Sequence, residues 1–554
     1  MTSITGRSAF LRLLIDEGID TLFGNPGTTE LAIMDALVDH PQIRYVLGLQ
    51  ENLVVAMADG YARASGRLAA ANVHVAPGLG NAMGSLYNAR FYGSPVLLTA
   101  GQHEQGHGLT EPMLYDPLVP IAQPMVKWAI EVTRLQDLPR IVHRAAKVAL
   151  TPPTGPVFIS LPGDILDAEG EVDLSRPSRV EAAARPSDQV LERLAARLLA
   201  ARNPVLIAGH ELATRDALQE AAQLAEALGA PVLQQTVQYA AHFLSEHPAF
   251  LGHLTRNQKQ VRDTLAPYDL LVFLGADQLR MSLWSSVDPM PEGAAVVQIG
   301  QRDWELAKNY PAELAVRADV KETLRALLPV LAQRGGTAQA ERAKRRLAEI
   351  EPHNWSAKRA RLRTDLESAA RAKPIDPRYL TMRLAQSLPP DAVVLEEALT
   401  ATLQLPSLLP YRDAQCYFGL ASGGIGFAVP GAVGVSLALP SRPVVAIIGD
   451  GSAMYSIQGL WSAAHLKRPI TYVIADNRSY RILKDRQVAR RGNRAFFGMD
   501  LRDPQIDFVE LAQSMGVSAR RITEPDEIVP ALQESVASGE TRLLDVIIAD
   551  GYGG

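Results

Sequence analysis

The sequence contains a single cysteine, Cys416, among its 554 residues. One thiol cannot form an internal disulfide, nor can it build a zinc centre held by several cysteines. The chain also lacks an apolar run of about 18 residues, the length that a membrane-crossing helix requires. Arg7, Arg12 and Asp16 interrupt the apolar core that an N-terminal secretory signal would need. We therefore expect a cytoplasmic protein that does not cross a membrane.

An excess of charge of one sign is also lacking, since the net charge is −5 and charged residues make up 21% of the chain. Proteins that bind nucleic acid or an anionic membrane surface usually carry a basic patch or a basic excess, so neither partner is expected. Hydrophobic residues make up 47%, which is typical of globular proteins. A chain of this length is expected to form about three domains.

Short apolar runs, each bounded by Gly or Pro, alternate with helical stretches through most of the chain. Such runs are typical of buried parallel strands, and the alternation predicts an α/β fold. We expect three domains, each a mainly parallel sheet flanked by helices. Their predicted bounds are 1–172, 188–333 and 374–554, with a charged helical linker at 334–373.

Two distant segments of the sequence resemble each other. The segments 85–101 and 459–476 each place a leucine nine residues before a proline that opens an apolar strand. A shift of 374 residues superimposes them and also aligns the Gly-rich corners that precede them. We therefore expect the first and last domains to be related to each other.

The stretch "IIGDGS" ends an apolar strand in an abrupt corner before a helix. Ligands of parallel sheets bind at the carboxyl ends of strands, and a helix N-terminus favours phosphate. Asp450 would repel such an anion unless a cation lay between them, and Mg²⁺ or Ca²⁺ prefers oxygen ligands. Asn477, at the end of the next strand, adds an amide oxygen. The residues indicate a site for a cation bound to a phosphate, with an ordinary capped turn as the alternative.

Gly-Asp-Gly followed after 25 residues by Asn477 resembles the thiamine diphosphate motif of the 2-oxo-acid decarboxylase and acetolactate synthase superfamily. The stretches "FGNPGTTELAIMDAL", "VLGLQENLVVAMADGYARASGR" and "ASGGIGFAVPGAVG" resemble further motifs of that family, in the family's order. The resemblance implies a thiamine diphosphate-binding fold in the first and last domains. The first would bind the pyrimidine and the last the diphosphate, with a middle α/β domain between them.

The same resemblance implies a set of cofactor residues. Asp450, Asn477 and the backbone carbonyl of Ser479 would ligate Mg²⁺ or Ca²⁺. Glu51 would activate the cofactor by hydrogen bonding to a pyrimidine ring nitrogen. The remaining contacts would come from Thr400 and the corner Gly451, Ser452 and Ala453 at the diphosphate, from the Gly423 carbonyl at the exocyclic amine, and from Ile425 beneath the cofactor.

Within the superfamily, the motifs look closest to the benzoylformate decarboxylase group. That resemblance implies proton transfer and substrate binding by His74 and a substrate carboxylate contact at Thr28. The implied substrate pocket comprises Gly27, Thr28, His74, Met281, Ile482 and Arg486. Two features depart from the group, since no histidine lies near Met281 and the segment after Asn477 is strongly basic.

The implied activity is non-oxidative decarboxylation of a 2-oxo acid to an aldehyde, with carboligation when an aldehyde acceptor is present. The implied assembly is a homodimer with shared active sites, usually within a homotetramer. The alternatives are an acetolactate-synthase-like carboligase, a nicotinamide-dependent dehydrogenase built on the Gly-rich stretch "HVAPGLGNAMG", and a non-catalytic paralogue. Flavin is not expected, because no decisive flavin signature is present.

Overall fold

The computed structural model describes residues 2–552, and residues 2–172 form a six-stranded sheet with flanking helices and a separate two-stranded sheet. The strands are β1 (Thr2–Thr5), β2 (Thr21–Gly24), β3 (Arg44–Leu47), β4 (Ala69–Val73), β5 (Val96–Gln102), β6 (Ala129–Glu131), β7 (Val157–Pro162) and β8 (Glu169–Val172). The helices are α1 (Gly6–Asp16), α2 (Leu31–Ala36), α3 (Glu51–Ser65), α4 (Val75–Tyr92), α5 (Leu118–Ala122), α6 (Leu138–Leu150) and α7 (Gly163–Asp167). Strands β2 to β7 form the parallel sheet, and β1 pairs antiparallel with β8 beside it.

A second parallel sheet forms the middle of the chain. Its elements are α8 (Asp188–Ala200), β9 (Pro204–Ala208), α9 (His210–Thr214), α10 (Leu218–Leu228), β10 (Val232–Gln234), β11 (Phe250–His253), α11 (Gln258–Leu265), β12 (Leu270–Leu274), β13 (Ala295–Gly300) and β14 (Leu314–Arg317). The connection to the third sheet is helical, through α12 (Val320–Ile350), which is kinked at Gly336, and α13 (Trp355–Leu366).

The third sheet occupies the C-terminal part. Its strands are β15 (Val393–Glu397), β16 (Tyr417–Gly419), β17 (Val444–Gly449), β18 (Ile470–Asp476), β19 (Ser518–Ile522) and β20 (Arg542–Ile547). Its helices are α14 (Pro377–Ser387), α15 (Leu405–Leu408), α16 (Ala428–Ala438), α17 (Asp450–Ala453), α18 (Gly459–His465), α19 (Arg481–Arg491), α20 (Phe508–Ser514) and α21 (Ile528–Ala537). The predicted α/β architecture of three domains is confirmed.

Strand order supports the relation predicted between the first and last domains. The first sheet runs β3-β2-β4-β5-β7-β6 and the third runs β16-β15-β17-β18-β20-β19. When the strands are numbered in chain order within each six-stranded sheet, both sheets have the order 2-1-3-4-6-5. The middle sheet runs β11-β10-β9-β12-β13-β14, the 3-2-1-4-5-6 order of dinucleotide-binding doubly wound folds. The terminal domains therefore share a topology that the middle domain lacks.

The sequence patterns did not indicate several short strands that the structure contains. The edge strands β6, β11 and β14 have three or four residues each, too few to show a period. The charged stretch 167–189, which carries two prolines, reads as a linker in the sequence, yet β8 lies within it and pairs with β1. Among the described residues, no helix is both long enough and apolar enough to span a membrane.

Helices α3 and α16 cross at backbone contact and join the first domain to the third. A Cβ on Gly434 would lie 1.9 Å from the Met57 carbonyl oxygen, and one on Gly60 would lie 2.3 Å from the Gly431 oxygen. Only residues without a side chain permit this approach. The crossing lies within one continuous apolar core that contains residues of both domains.

A buried ion pair borders the same crossing. Arg63 of α3 donates to both carboxylate oxygens of Asp59 and to the Gly419 carbonyl. Its guanidinium lies 4.1 Å from the ring centroids of both Tyr92 and Phe427. Each charge is thus paired and hydrogen bonded, as a buried charge must be.

We expect Gly434→Ala to lower the midpoint of thermal unfolding by roughly 2–12 °C, because overpacking costs about 1–3 kcal/mol and each kcal/mol shifts the midpoint of a large domain by about 2–4 °C. The added methyl would meet backbone, which cannot rotate away. Gly80→Ala is the matched control, since a Cβ on Gly80 of α4 meets no atom within 4 Å. Equal midpoints for the two variants in differential scanning fluorimetry would contradict the contact.

Candidate active site

The carboxyl ends of β17 and β18 bring together the residues predicted to hold a metal ion. These strands are parallel neighbours, and Gly449 pairs with Ala475 at their ends. The Ser479 amide donates to Asp450 Oδ2 over 3.1 Å and to Asn477 Oδ1 over 2.9 Å. Asp450, Asn477 and Ser479 therefore form one buried cluster, although 26 residues separate Asp450 from Asn477 in the chain.

A second carboxylate, Asp476, lies in this cluster and was not assigned from the sequence. Asp450 and Asp476 are 4% and 2% exposed, and Asp476 Oδ2 has no hydrogen-bond donor among the described residues. Burial and the nearby Asp476 carboxylate raise the pKa of Asp450 above its usual range. Two buried carboxylates at close range destabilise each other unless a proton or a cation lies between them. The acid directly before Asn477 in "ADN" was the available signal.

A divalent cation suits this donor set. Among residues 2–552 no three His, Cys, Asp or Glu side chains are grouped as a metal site, so a cation here would need amide and carbonyl oxygens as well. Carboxylate, amide and carbonyl oxygens are the ligands that Mg²⁺ and Ca²⁺ take. The orphaned Asp476 oxygen and the raised pKa of Asp450 show that the cluster is short of positive charge.

The corner that follows Asp450 is tightly packed. Gly451, Ser452 and Ala453 form α17 and are buried. A Cβ on Gly451 would lie 2.5 Å from the Tyr480 ring, so this position requires glycine. Thr400 lies on a 3₁₀ turn (Leu399–Thr402) after β15, at the same edge of the sheet.

Glu51 begins α3 and lies over the start of α4. Its Oε1 lies 2.9 Å from the position of a Cβ on Gly78, and its Oε2 accepts from Asn81 Nδ2 over 3.0 Å. No hydrogen bond between described residues joins Glu51 to Asp450. The adjacent Asn52 lies 3.4 Å from the position of a Cβ on Gly426, so the start of α3 approaches the 423–426 loop of its own chain. The assignment of Glu51 and the metal cluster to different subunits stays a prediction.

His74, at the end of β4, is held by a carboxylate that the sequence analysis missed. Its Nδ1 lies 2.8 Å from Glu30 Oε2 and 3.1 Å from Thr29 Oγ1. Glu30 is fully buried and also accepts the amides of Gly27 and Gly101. The signal was present in "GTTE", where an acid three residues after a cap position is typical of a capping box.

The backbone around His74 is constrained. A Cβ on Gly27 would lie 2.2 Å from His74 Nδ1, so Gly27 is needed for the ring to lie where it does. Val75, the next residue, has φ of 38°, a left-handed conformation that β-branched residues avoid. Strain of this kind is concentrated at functional sites. Thr28 is exposed, and Thr29 rather than Thr28 hydrogen bonds to His74.

The residues predicted for the substrate pocket are not all gathered by the single chain. Met281 packs against an apolar cluster of the middle domain. Its neighbour Arg280 forms ion pairs with Asp277 and Glu305. On α19, Ile482 is partly buried and Arg486 is exposed. Their place in a substrate pocket stays a prediction.

The carboxyl edge of the middle sheet is filled by its own side chains. Glu211 accepts the amides of Gln301 and Arg302, and Arg302 donates to the Tyr92 carbonyl of the first domain. The cavity between them measures about 10 Å³, roughly the space of a single water molecule. A dinucleotide could not enter this edge without displacing these residues.

Three family models match the chain in succession. The N-terminal TPP binding domain of thiamine pyrophosphate enzymes matches residues 4–114, the central domain 191–327 and the C-terminal TPP binding domain 402–546. Each matched segment overlaps one of the three six-stranded sheets.

Whole-chain relatives agree with the family models. Benzoylformate decarboxylase of Pseudomonas aeruginosa is 34% identical over 546 residues, covering 98% of each chain. Acetolactate synthase isozyme 3 large subunit of Escherichia coli is 28% identical, covering 97% of this chain and 93% of that one.

Solved structures of similar enzymes extend the likeness to three dimensions. The 4-hydroxybenzoylformate decarboxylase of Rhodococcus jostii superimposes with a TM-score of 0.86 at 31% identity over 99% of each chain. Benzoylformate decarboxylase from Polynucleobacter necessarius superimposes with a TM-score of 0.88 at 30% identity, again over 99% of each chain. Together with the cofactor motifs, these matches show that the chain belongs to the thiamine diphosphate-dependent 2-oxo-acid decarboxylase and acetolactate synthase superfamily.

Proposed function

We propose that the protein is a Mg²⁺-dependent decarboxylase that converts a 2-oxo acid to an aldehyde, as benzoylformate decarboxylases do. Carboligation would be a second outcome when an aldehyde acceptor is supplied. The single observation that carries the proposal is the pair of His74 and buried Glu30, because aldehyde release requires a positioned proton donor. Relatives named as benzoylformate decarboxylases support the same reading.

Residues of the first and third domains would hold the cofactor. Asp450, Asn477 and Ser479 would bind the cation, and the start of α17 would meet the diphosphate. When bound, thiamine diphosphate supplies a thiazolium ring that accepts the electron pair left by departing CO₂. Glu51 would hold a proton against the pyrimidine ring, since its carboxyl group lies over Gly78 with Asn81 as its only side-chain hydrogen-bond donor among the described residues.

The hydrogen bond to Glu30 assigns the two nitrogens of His74 different tasks. Nδ1 donates to Glu30 Oε2, which fixes the tautomer and the orientation of the ring. Nε2 is then the nitrogen that exchanges a proton with substrate. Buried Glu30 is fixed in turn by two backbone amides, so the pair is rigid before substrate arrives.

The alternatives gain less support. An acetolactate-synthase-like carboligase remains the second candidate because such enzymes are among the relatives. The filled middle-domain edge at Glu211 argues against a bound flavin. A dehydrogenase would place a pyrophosphate near Gly78, where the Glu51 carboxylate lies instead and would repel it. We also propose a cytoplasmic homodimer or homotetramer as the working form.

A screen of 2-oxo acids tests the activity directly. With thiamine diphosphate and Mg²⁺ we expect CO₂ and an aldehyde from at least one aromatic or aliphatic 2-oxo acid, and we expect EDTA to abolish turnover. Chromatography of the products distinguishes an aldehyde from a ligated hydroxyketone. Failure of every 2-oxo acid, alone or with an aldehyde acceptor, would refute the proposal.

Glu51→Gln should lower kcat by about 100-fold or more, because a positioned acid or base contributes about 10²–10⁴ to rate. Cofactor binding, followed by isothermal titration, should change little because the amide has nearly the same shape. Glu349→Gln, an exposed position on α12, is the matched control and should retain full activity. Activity of Glu51→Gln near the wild-type level would rule out the assigned role.

We expect His74→Ala to slow aldehyde release by about 10²–10⁴ at unchanged cofactor affinity, since the chain's proton donor is removed. Glu30→Gln should reproduce part of that loss, because His74 keeps its ring and loses the carboxylate that orients it. Single-turnover measurements with the best substrate of the screen provide the comparison. A Glu30→Gln enzyme as fast as wild type would show that the pair does not act together.

A further inference from the structure

Strand β15 ends in two adjacent glutamates, Glu396 and Glu397, whose roles are not explained by the cofactor motifs. Successive side chains of a strand point to opposite faces of its sheet. Val393 and Leu395, in phase with Glu397, lie in the core cluster shared with the first domain. Val394, in phase with Glu396, lies in the cluster on the other face. The two carboxylates therefore leave one strand end in opposite directions.

Glu397 holds the loop that precedes α16. It is 1% exposed. Its Oε2 accepts the amides of Phe427 over 2.9 Å and Ala428 over 2.6 Å, and its Oε1 accepts the amide of Gly426. These amides are free because the first amides of a helix lack partners within it. Gly426 has φ of 111°, so the chain turns sharply at the point where the carboxylate holds it.

The burial of Glu397 is costly and requires these donors. Burial raises its pKa to about 7, and the three amides oppose that shift. An apolar residue would satisfy none of the three amides. The three backbone amides thus supply the donors that the buried carboxylate requires, and the carboxylate supplies the acceptors that the amides require.

Glu396 holds a different segment. Its Oε1 accepts the amides of Ala398 over 2.9 Å and Leu399 over 3.1 Å, and also the hydroxyl of Thr402. Tyr417 donates to its Oε2 over 3.4 Å. These contacts close the 3₁₀ turn of residues 399–402, where Leu399 has φ of 51°. Each glutamate thus organises one strained segment at the same sheet edge.

We propose that Glu396 and Glu397 are positioning residues for the cofactor, each setting one of its two contact segments. Glu397 fixes the 423–426 loop that carries Gly423 and Ile425. Glu396 fixes the turn that carries Thr400. The inference rests on the proposed function for the role of those three residues, whereas the division of work between the two glutamates rests on the hydrogen bonds alone.

Hydrogen exchange with mass spectrometry, recorded on the full-length protein without cofactor, tests that division. Glu397→Gln should raise amide exchange in residues 423–428 by about tenfold, because the side-chain amide turns an acceptor into a donor facing backbone N–H groups. Exchange in residues 398–402 should stay within about twofold of wild type. Glu396→Gln, the matched control, should show the reverse pattern. Equal loosening of both segments in either variant would overturn the inference.

Cofactor titration supplies the second measurement. With saturating Mg²⁺, each variant should bind thiamine diphosphate about tenfold more weakly. A loss of this size is what the removal of one charge-assisted hydrogen bond is expected to cause. The loss should be larger in the apparent affinity for the cofactor than in the kcat at saturating cofactor, because neither residue touches the reacting atoms. Unchanged cofactor affinity in both variants would overturn the positioning role.

Two further outcomes distinguish a failure of the proposed function from a failure of the inference about the two glutamates. Wild-type protein that binds no thiamine diphosphate would refute the proposed function, while the exchange measurement would still decide how the glutamates divide the loops. If Glu397→Gln does not fold, Glu397→Asp replaces it, since aspartate keeps the charge but withdraws it by one methylene. Faster exchange confined to residues 423–428 is then expected, and wild-type exchange there would overturn the inference.

Discussion

The crossing of α3 over α16 is the contact on which the rest of the candidate site depends. Helix α3 begins at Glu51, and α16 follows the loop that carries Gly423. Because the two backbones meet through Gly60 and Gly434, neither helix can shift without a clash or a void. The first and third domains share one apolar core around this crossing. A fixed crossing therefore fixes the position of the start of α3 relative to the 423–426 loop within one chain. In a dimer with shared active sites, it would thereby also fix how the sites lie relative to each other.

Several carboxylates are buried in and around the site, and each has a different set of hydrogen-bond donors or cationic partners. Glu30 is satisfied by a histidine and backbone amides, and Glu397 by amides at a helix start. Asp59 is satisfied by Arg63. Asp450 and Asp476 lie close together, and Asp476 Oδ2 has no hydrogen-bond donor among the described residues. A buried anion without a partner is expensive, so this pair supports the proposed cation site. Glu30 and Glu397, by contrast, hold backbone amides in place.

The middle domain illustrates how a binding fold can be used for structure. Its strand order is that of dinucleotide-binding folds, yet the edge where such ligands bind is filled by Glu211 and Arg302. Arg302 continues across to the first domain through the Tyr92 carbonyl. The edge thus joins the middle domain to the first domain. Fold and function separate here, as expected when function depends on particular side chains.

The sequence by itself determined the α/β class, the three domains and the family, because buried parallel strands and the spacing of Asp450 and Asn477 are local patterns. It also indicated the kinship of the first and last domains, since the repeat preserves local order. Strands of three or four residues, such as β6 and β14, carried too little pattern to be found. Only the tertiary structure showed which carboxylates act together. Glu30 meets His74 across 44 residues and Glu397 meets Ala428 across 31, and contacts between strand ends and loops leave no period in a sequence.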